Sequence, residues 1–205
     1  MVSTTPRARV RKDPAERAQE ILAAARAVAA AEGLSALTLR SVAREAGVAP
    51  SLVAHYFPEV DALVAEVFGA LAQEEEDGLR AELARVADPG ERLRHLLDWL
   101  PAVDRAGMTA LWLEALVLGR RNARLAERAR EDLGRWQSLV REEIAAAAAA
   151  GAARVEDPAD AAARLLAFSD GINEHALVGY EEPALRERFR EVGEQVLRMR
   201  PPGTR

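Results

Sequence analysis

Between Thr38 and Phe57 the chain reads TLRSVAREAGVAPSLVAHYF, and these twenty positions leave few folds open. Thr38 is helix N-cap chemistry, a hydroxyl placed to accept a backbone N–H of the first turn. Val42, Ala43 and Ala46 then recur at helical spacing, with Arg40 and Arg44 on the other side. Gly47 supplies the left-handed backbone that ends the helix. Pro50 is preset for the first position of a second helix, which continues through Ser51, Leu52, Val53, Ala54, His55, Tyr56 and Phe57 until Pro58 stops it. Val48, Val53 and Phe57 are the expected inward residues. Two short helices around a tight glycine turn form a helix-turn-helix.

The remaining sequence reads as helix throughout. Asp-Pro pairs at Asp13-Pro14, Asp88-Pro89 and Asp157-Pro158 place an N-cap acid before a proline at the first helical position. The first helix carries Ile21, Leu22, Ala25, Val28 and Ala29 on one face and ends at Gly33. A fourth is expected from Val60 to Val86, with Glu74-Glu75-Glu76-Asp77 as a solvated acidic face. The fifth runs from Pro89 to Leu100. A segment from Val103 to Leu118 is apolar nearly all round and is expected to be buried. The seventh runs from Arg120 to Ala150, the eighth from Pro158 to Gly179, and the ninth from Pro183 to Met199. The fold class is therefore all-α with about nine helices: a small three-helix unit over 1–60 and a larger helical domain over 61–205. The fourth helix joins them without a linker.

Composition narrows the function classes. With 205 residues and an apolar fraction of 49%, a sizeable core can be buried. The absence of Cys excludes disulfides and thiolate chemistry. No secretory or membrane-spanning pattern occurs, which gives the expectation of a cytoplasmic protein without a membrane partner. The net charge is −5, yet the first sixty residues hold more basic than acidic side chains, so a basic head sits on an acidic body. Arg7, Arg9, Arg11 and Lys12 lie before the first helix. They read either as an arm along DNA phosphates or as a solvated tail. The three histidines, His55, His95 and His175, lack the Glu-x-x-His spacing of a di-iron bundle, and no phosphate-binding loop occurs. Neither an enzyme nor a cofactor or metal is expected.

The stretch from Leu37 to Leu63, LTLRSVAREAGVAPSLVAHYFPEVDAL, resembles the tetracycline-repressor (TetR) family of bacterial transcription regulators. Thr38, Ala43, Ala46-Gly47-Val48, Tyr56-Phe57 and Leu63 carry the resemblance. The VAHYF ending and the later helix pattern look most like the subgroup that includes choline-responsive repressors. The resemblance implies a homodimeric DNA-binding repressor whose C-terminal domain holds a dimer face and an effector pocket. It departs from the family at Ala49, where the turn usually has Ser, at Ala54, where an aromatic is common, and at Val60, where a Lys commonly contacts phosphate.

The helix after Gly47 has no Arg or Lys. Base contacts fall to Ser51, Leu52 and His55, with Tyr56 on phosphate and Ala49 and Pro50 where that helix opens. Thr38, Arg40 and Arg44 would hold the DNA backbone. Two heads on one DNA face call for an inverted-repeat operator. The expected dimer contacts are Leu165, Phe168, Ile172, Leu177, Phe189, Val192, Val196 and Leu197, with Gly171 permitting close approach. The effector pocket is expected at Trp99, Met108, Trp112, Glu114, Trp136 and Asn173, with Asp98, Asp170 and His175 nearby. Aromatic and acidic lining suits a cationic or amphipathic effector. The competing reading is a helical dimer that binds proteins and not a specific DNA sequence.

Overall fold

A computed structural model describes residues 13–101, 105–180 and 183–199. The basic segment with Arg7, Arg9, Arg11 and Lys12, the expected helix start at Val103, and Pro201-Pro202-Gly203 lie outside the described residues. Among those described are nine α-helices and no strand: α1 Pro14–Glu32, α2 Leu39–Ala46, α3 Pro50–Tyr56, α4 Val60–Leu83, α5 Pro89–Trp99, α6 Ala106–Gly119, α7 Ala123–Ala149, α8 Pro158–Ala176 and α9 Pro183–Val196. A single 3-10 turn, Leu34–Ala36, links α1 to α2.

The three Asp-Pro pairs cap as expected. Asp13 accepts from the Ala15 N–H, Asp88 from that of Glu91, and Asp157 from those of Ala159 and Asp160. Each satisfies N–H groups that an unaided first turn leaves without a helical partner. Asn122 does the same for α7 through the Leu125 N–H at 3.0 Å, so α7 begins at Ala123 and not at Arg120.

Two apolar clusters form the interior. One joins α1–α3 to the first half of α4 and takes in Leu111, Ala115, Leu125 and Ala129 from α6 and α7. The other packs Leu79 and Leu83 of α4 against α5, α7, α8 and α9. The head is thus packed directly against the body, and α4 runs through both clusters.

Two expectations hold only in part here. Of the acidic run on α4, Glu74 and Asp77 are exposed as expected, but Glu75 and Glu76 are not. Glu76 is 3% exposed and accepts from Arg80 at 2.9 Å and from Arg135 of α7 at 3.0 Å. Glu75 accepts from Arg105, before α6, at 2.9 Å, and Glu74 pairs with Arg26 of α1. Consecutive carboxylates on a helix point about 100° apart, so each meets a different neighbour. Nor is α6 buried all round. Leu111 and Ala115 are buried, but Leu116 is 46% and Val117 65% exposed, and Leu116 borders a cavity instead of filling the core.

Candidate nucleic-acid interface and interior cavity

The capping box at the start of α2 is complete. Thr38 Oγ1 accepts from the Ser41 N–H at 3.0 Å, and Ser41 Oγ accepts from the Thr38 N–H at 2.9 Å. Ser41 Oγ also donates to the Ala36 carbonyl at 2.7 Å, which fixes the approach to α2. Gly47 takes the left-handed conformation, φ 64°, ψ 33°. Ala49 caps α3 without a side-chain hydrogen bond, the consequence of Ala where a hydroxyl would serve.

This turn stands α3 off the surface. Val53 is fully buried, and Val48, Tyr56 and Phe57 pack partly buried against the head core. Ser51, His55, Ala49 and Pro50 are exposed and Leu52 is half-buried, so they lie along the outer side of α3 and the turn before it. Tyr56 meets His55 edge-on, with ring centroids 5.3 Å apart. Thr38, Arg40 and Arg44 are exposed beside them. Arg44 reaches Glu32 only at 3.4 Å, a surface pair worth little, which leaves its guanidinium available. The face therefore offers short polar groups for base edges and flanking cations for phosphates.

The head is tied to the body at three further places. Glu114 of α6 accepts from the Ser35 N–H at 2.8 Å and lies against Gly33, whose φ of 89° and lack of Cβ admit it. Asn122 Nδ2 donates to the Asp61 carbonyl at 3.0 Å, and Arg124 pairs with Glu59 at 2.7 Å. Glu114, expected in the effector pocket, is instead part of this seam: α6 turns it toward the head, opposite to Leu113 and Leu116.

A cavity of about 220 Å3 lies between α6, α7 and α8. Its wall includes Trp112, Trp136 and Asn173, as expected, together with Asp170. Trp99 stands behind this wall, stacked on Trp136 at 5.5 Å. Met108 lines a separate cleft with Leu71 and Leu111. Asp98 pairs with Arg190 at the surface, and His175 is exposed at the end of α8 beside Tyr180. Of these residues the cavity unites only Trp112, Trp136, Asp170 and Asn173.

Five further polar wall residues were not anticipated: Arg105, Thr109, Gln137, Ser169 and Glu174. Glu174 is four residues after Asp170, so α8 presents both carboxylates on one face, a pattern readable in the sequence. Burial, then the neighbouring Glu174 carboxylate, pushes the Asp170 carboxyl above its usual range, and Arg105 pulls it back. Part of the Asp170 side chain reaches solvent, but the cavity walls strip enough water to penalise its charge. Arg105 lies 4.0 Å over the Trp99 ring and 5.6 Å from that of Trp136. Its charge explains how carboxylates and aromatics share this wall.

The expected dimer residues divide. Leu165, Ile172, Phe189 and Leu197 are buried inside the single chain, where they join α8 and α9 to α5. Their apolar character serves the protomer's own core. Phe168 tilts onto Phe189 at 5.4 Å and, like Val196, is partly buried against this core. Leu177 is half-buried. Val192 is 38%, Val178 83% and Tyr180 63% exposed; the last two follow α8, which ends at Ala176 and not at the expected Gly179.

An exposed second helix after a left-handed turn, seated on a helical body with its own cavity, defines a helix-turn-helix regulator. Residues 21–67 match the family of bacterial regulatory proteins called tetR, and residues 89–200 match the C-terminal domain of BetI-type transcriptional repressors. The chain belongs to the TetR family and is a DNA-binding transcriptional regulator. Its fold is shared with a transcriptional regulator from Saccharomonospora viridis solved in complex with choline (23% identity, 90% of this chain and 96% of that one, TM-score 0.74). It is also similar to a TetR transcription regulator from Haloarcula marismortui (21%, 90% and 97%, TM-score 0.74). A third similar structure is the fatty acid degradation regulator FadR from Bacillus halodurans (22%, 93% and 100%, TM-score 0.68). The search of curated proteins returned no match. Among the described residues no helix is long and apolar enough to cross a membrane.

Proposed function

We propose that the chain is a homodimeric cytoplasmic repressor that grips an inverted-repeat operator and is released by a small organic cation bound between α6, α7 and α8. The single observation that carries the ligand class is the pairing of Asp170 and Glu174 with Trp112 and Trp136 around one cavity. Aromatic faces and carboxylates together attract a desolvated cation. The choline bound by the Saccharomonospora viridis regulator belongs to that class and makes choline the first probe. No catalytic step is assigned to the chain.

In this reading Ser51, Leu52 and His55 meet base edges, while Thr38, Arg40, Arg44 and Tyr56 meet phosphates. Residues 1–60 act as the reading unit and 61–205 as the sensing and pairing unit. The dimer face uses the outer sides of α8 and α9. Phe168, Gly171 and His175 fall on one stripe of α8, and Val192 and Gln195 on one of α9, with no described atom within 4 Å of a Cβ at Gly171. Ligand in the cavity shifts α4, to which the head is packed, and changes the separation of the two heads.

The test couples two measurements. A duplex selected from a random pool is titrated by fluorescence anisotropy with and without choline chloride, and choline binding is followed by calorimetry. Saturable binding with loss of operator affinity is expected. Operator affinity indifferent to choline, betaine and larger quaternary ammonium ions alike would remove the cation-released reading.

A further inference from the structure

Arg105 belongs to two environments at once. Its guanidinium lines the cavity and lies 4.0 Å over the Trp99 ring. Its Nε donates at 2.9 Å to Glu75 on α4. Its Nη1 donates at 3.0 Å to the Leu100 carbonyl, which also accepts from Asn173 Nδ2 at 2.9 Å. Asn173 is itself a cavity residue. One carbonyl thus holds together α8, the end of α5 and the side chain that reaches α4.

The Glu75 carboxylate depends on this contact. Its side chain is 9% exposed, and its Oε2 is buried without a hydrogen-bond partner among the described residues. A buried carboxylate that loses its cation is strongly unfavourable. The helix bearing it then gains by moving until Glu75 reaches water. That helix is α4, which carries the head, and on the next turn-face Glu74 pairs with Arg26 of α1 inside the head.

We propose that Arg105 is the positioning residue that couples the cavity to the DNA-reading head: it is a tethered cation on the Trp99–Trp136 stack, and the effector's cation displaces it and so releases Glu75. The proposal rests on the cation-released reading for the identity of the displacing group. The geometry supplies the competition. Arg105 lies over the Trp99–Trp136 stack, whose Trp136 member lines the cavity that an incoming cation would enter, and a second positive charge there repels its guanidinium. With Arg105 on Glu75, α4 is held in the DNA-binding position; with Arg105 drawn away, it is not.

The experiment uses the full chain and four forms, wild type, Arg105→Ala, Arg105→Lys and Glu75→Gln, with thermal melting to confirm folding. Operator affinity is measured without ligand and in saturating choline chloride. In Arg105→Ala, which leaves the Glu75 carboxylate buried and uncompensated, ligand-free operator affinity should fall roughly tenfold, a typical coupling ratio, while in Glu75→Gln, which removes that charge, it should stay near the wild-type value. Choline should still bind both, while its effect on DNA affinity shrinks to less than about twofold. Arg105→Lys, which restores a cation near Glu75, should recover part of both losses. A simple loss of packing would lower the melting temperature without collapsing the choline response. A full choline response in any folded Arg105→Ala or Glu75→Gln protein overturns the proposal. Should choline fail to bind wild type, the ligand reading falls separately, and the ligand-free affinity of Arg105→Ala decides: an unchanged value overturns the coupling role, and a reduced value with lysine rescue supports it. Should Arg105→Ala not fold, Glu75→Gln carries the test.

Discussion

Ser41 shows how one small side chain sets the reading face. It is 9% exposed and its Oγ serves the Thr38 N–H while donating to the Ala36 carbonyl. Ser41→Ala removes both and leaves buried backbone groups unpaired, so a loss of about 1–3 kcal/mol is expected in urea unfolding. Base contacts and phosphate contacts should separate on mutation. His55→Ala should reduce preference for the selected operator over random duplex, whereas Arg40→Ala should weaken both and lower the slope of log affinity against log salt by about one. Parallel titrations at several salt concentrations measure this. Thr38, Gly47 and Pro50 were legible in the sequence because caps and turns are local chemistry. Glu114 was not: its partner, the Ser35 N–H, lies 79 positions away, and only packing of α6 on the 3-10 turn brings them together.

At the scale of the element, α4 is both a core helix and a junction. Glu74, Glu75 and Glu76 fasten it to α1, to the residue before α6, and to α7. Four adjacent acids suggest a solvated face when read alone, since Arg26, Arg105 and Arg135, which answer three of them, are far along the chain. Glu76→Ala should cost about 1–3 kcal/mol, because Arg80 and Arg135 lose a shared buried acceptor while keeping Glu142 and Asp132; chemical denaturation checks it. On α8 the raised Asp170 carboxyl gives a pH dependence. Its pKa in the fold lies above the ordinary value, so the native chain takes up the proton first, and this group's charge destabilises the free protein less as pH falls through that range. The carboxylate form favours a cation, so choline affinity should fall over the same descent. Calorimetry across acidic pH should show that fall in wild type and a flatter profile in Asp170→Asn. The α8 periodicity marked apolar residues as dimer contacts but could not say against what they pack. Leu165, Ile172 and Phe189 are claimed by the protomer's own core, and a period cannot distinguish that from a subunit interface.

On the scale of the whole molecule, head and body share apolar packing through α4, α6 and α7, so displacement of α4 in the body is felt at α3. The all-helical layout followed from the Asp-Pro starts and glycine stops, while the cavity arose from three helices whose mutual placement no local pattern encodes. Two paired heads should address successive major grooves about 34 Å apart. The chain contains no Cys, so Glu45→Cys on α2, exposed and outside the residues assigned to base or phosphate contact, accepts a single spin label per protomer. Electron–electron dipolar spectroscopy on this labelled protein, with operator DNA and then with saturating choline, measures the head separation directly. The account predicts a single narrow population on the operator, fixed by heads seated about 34 Å apart, that shifts to a different, DNA-incompatible separation when choline fills the cavity. An unchanged distance with choline demonstrably bound, or no dipolar signal at all, would contradict it.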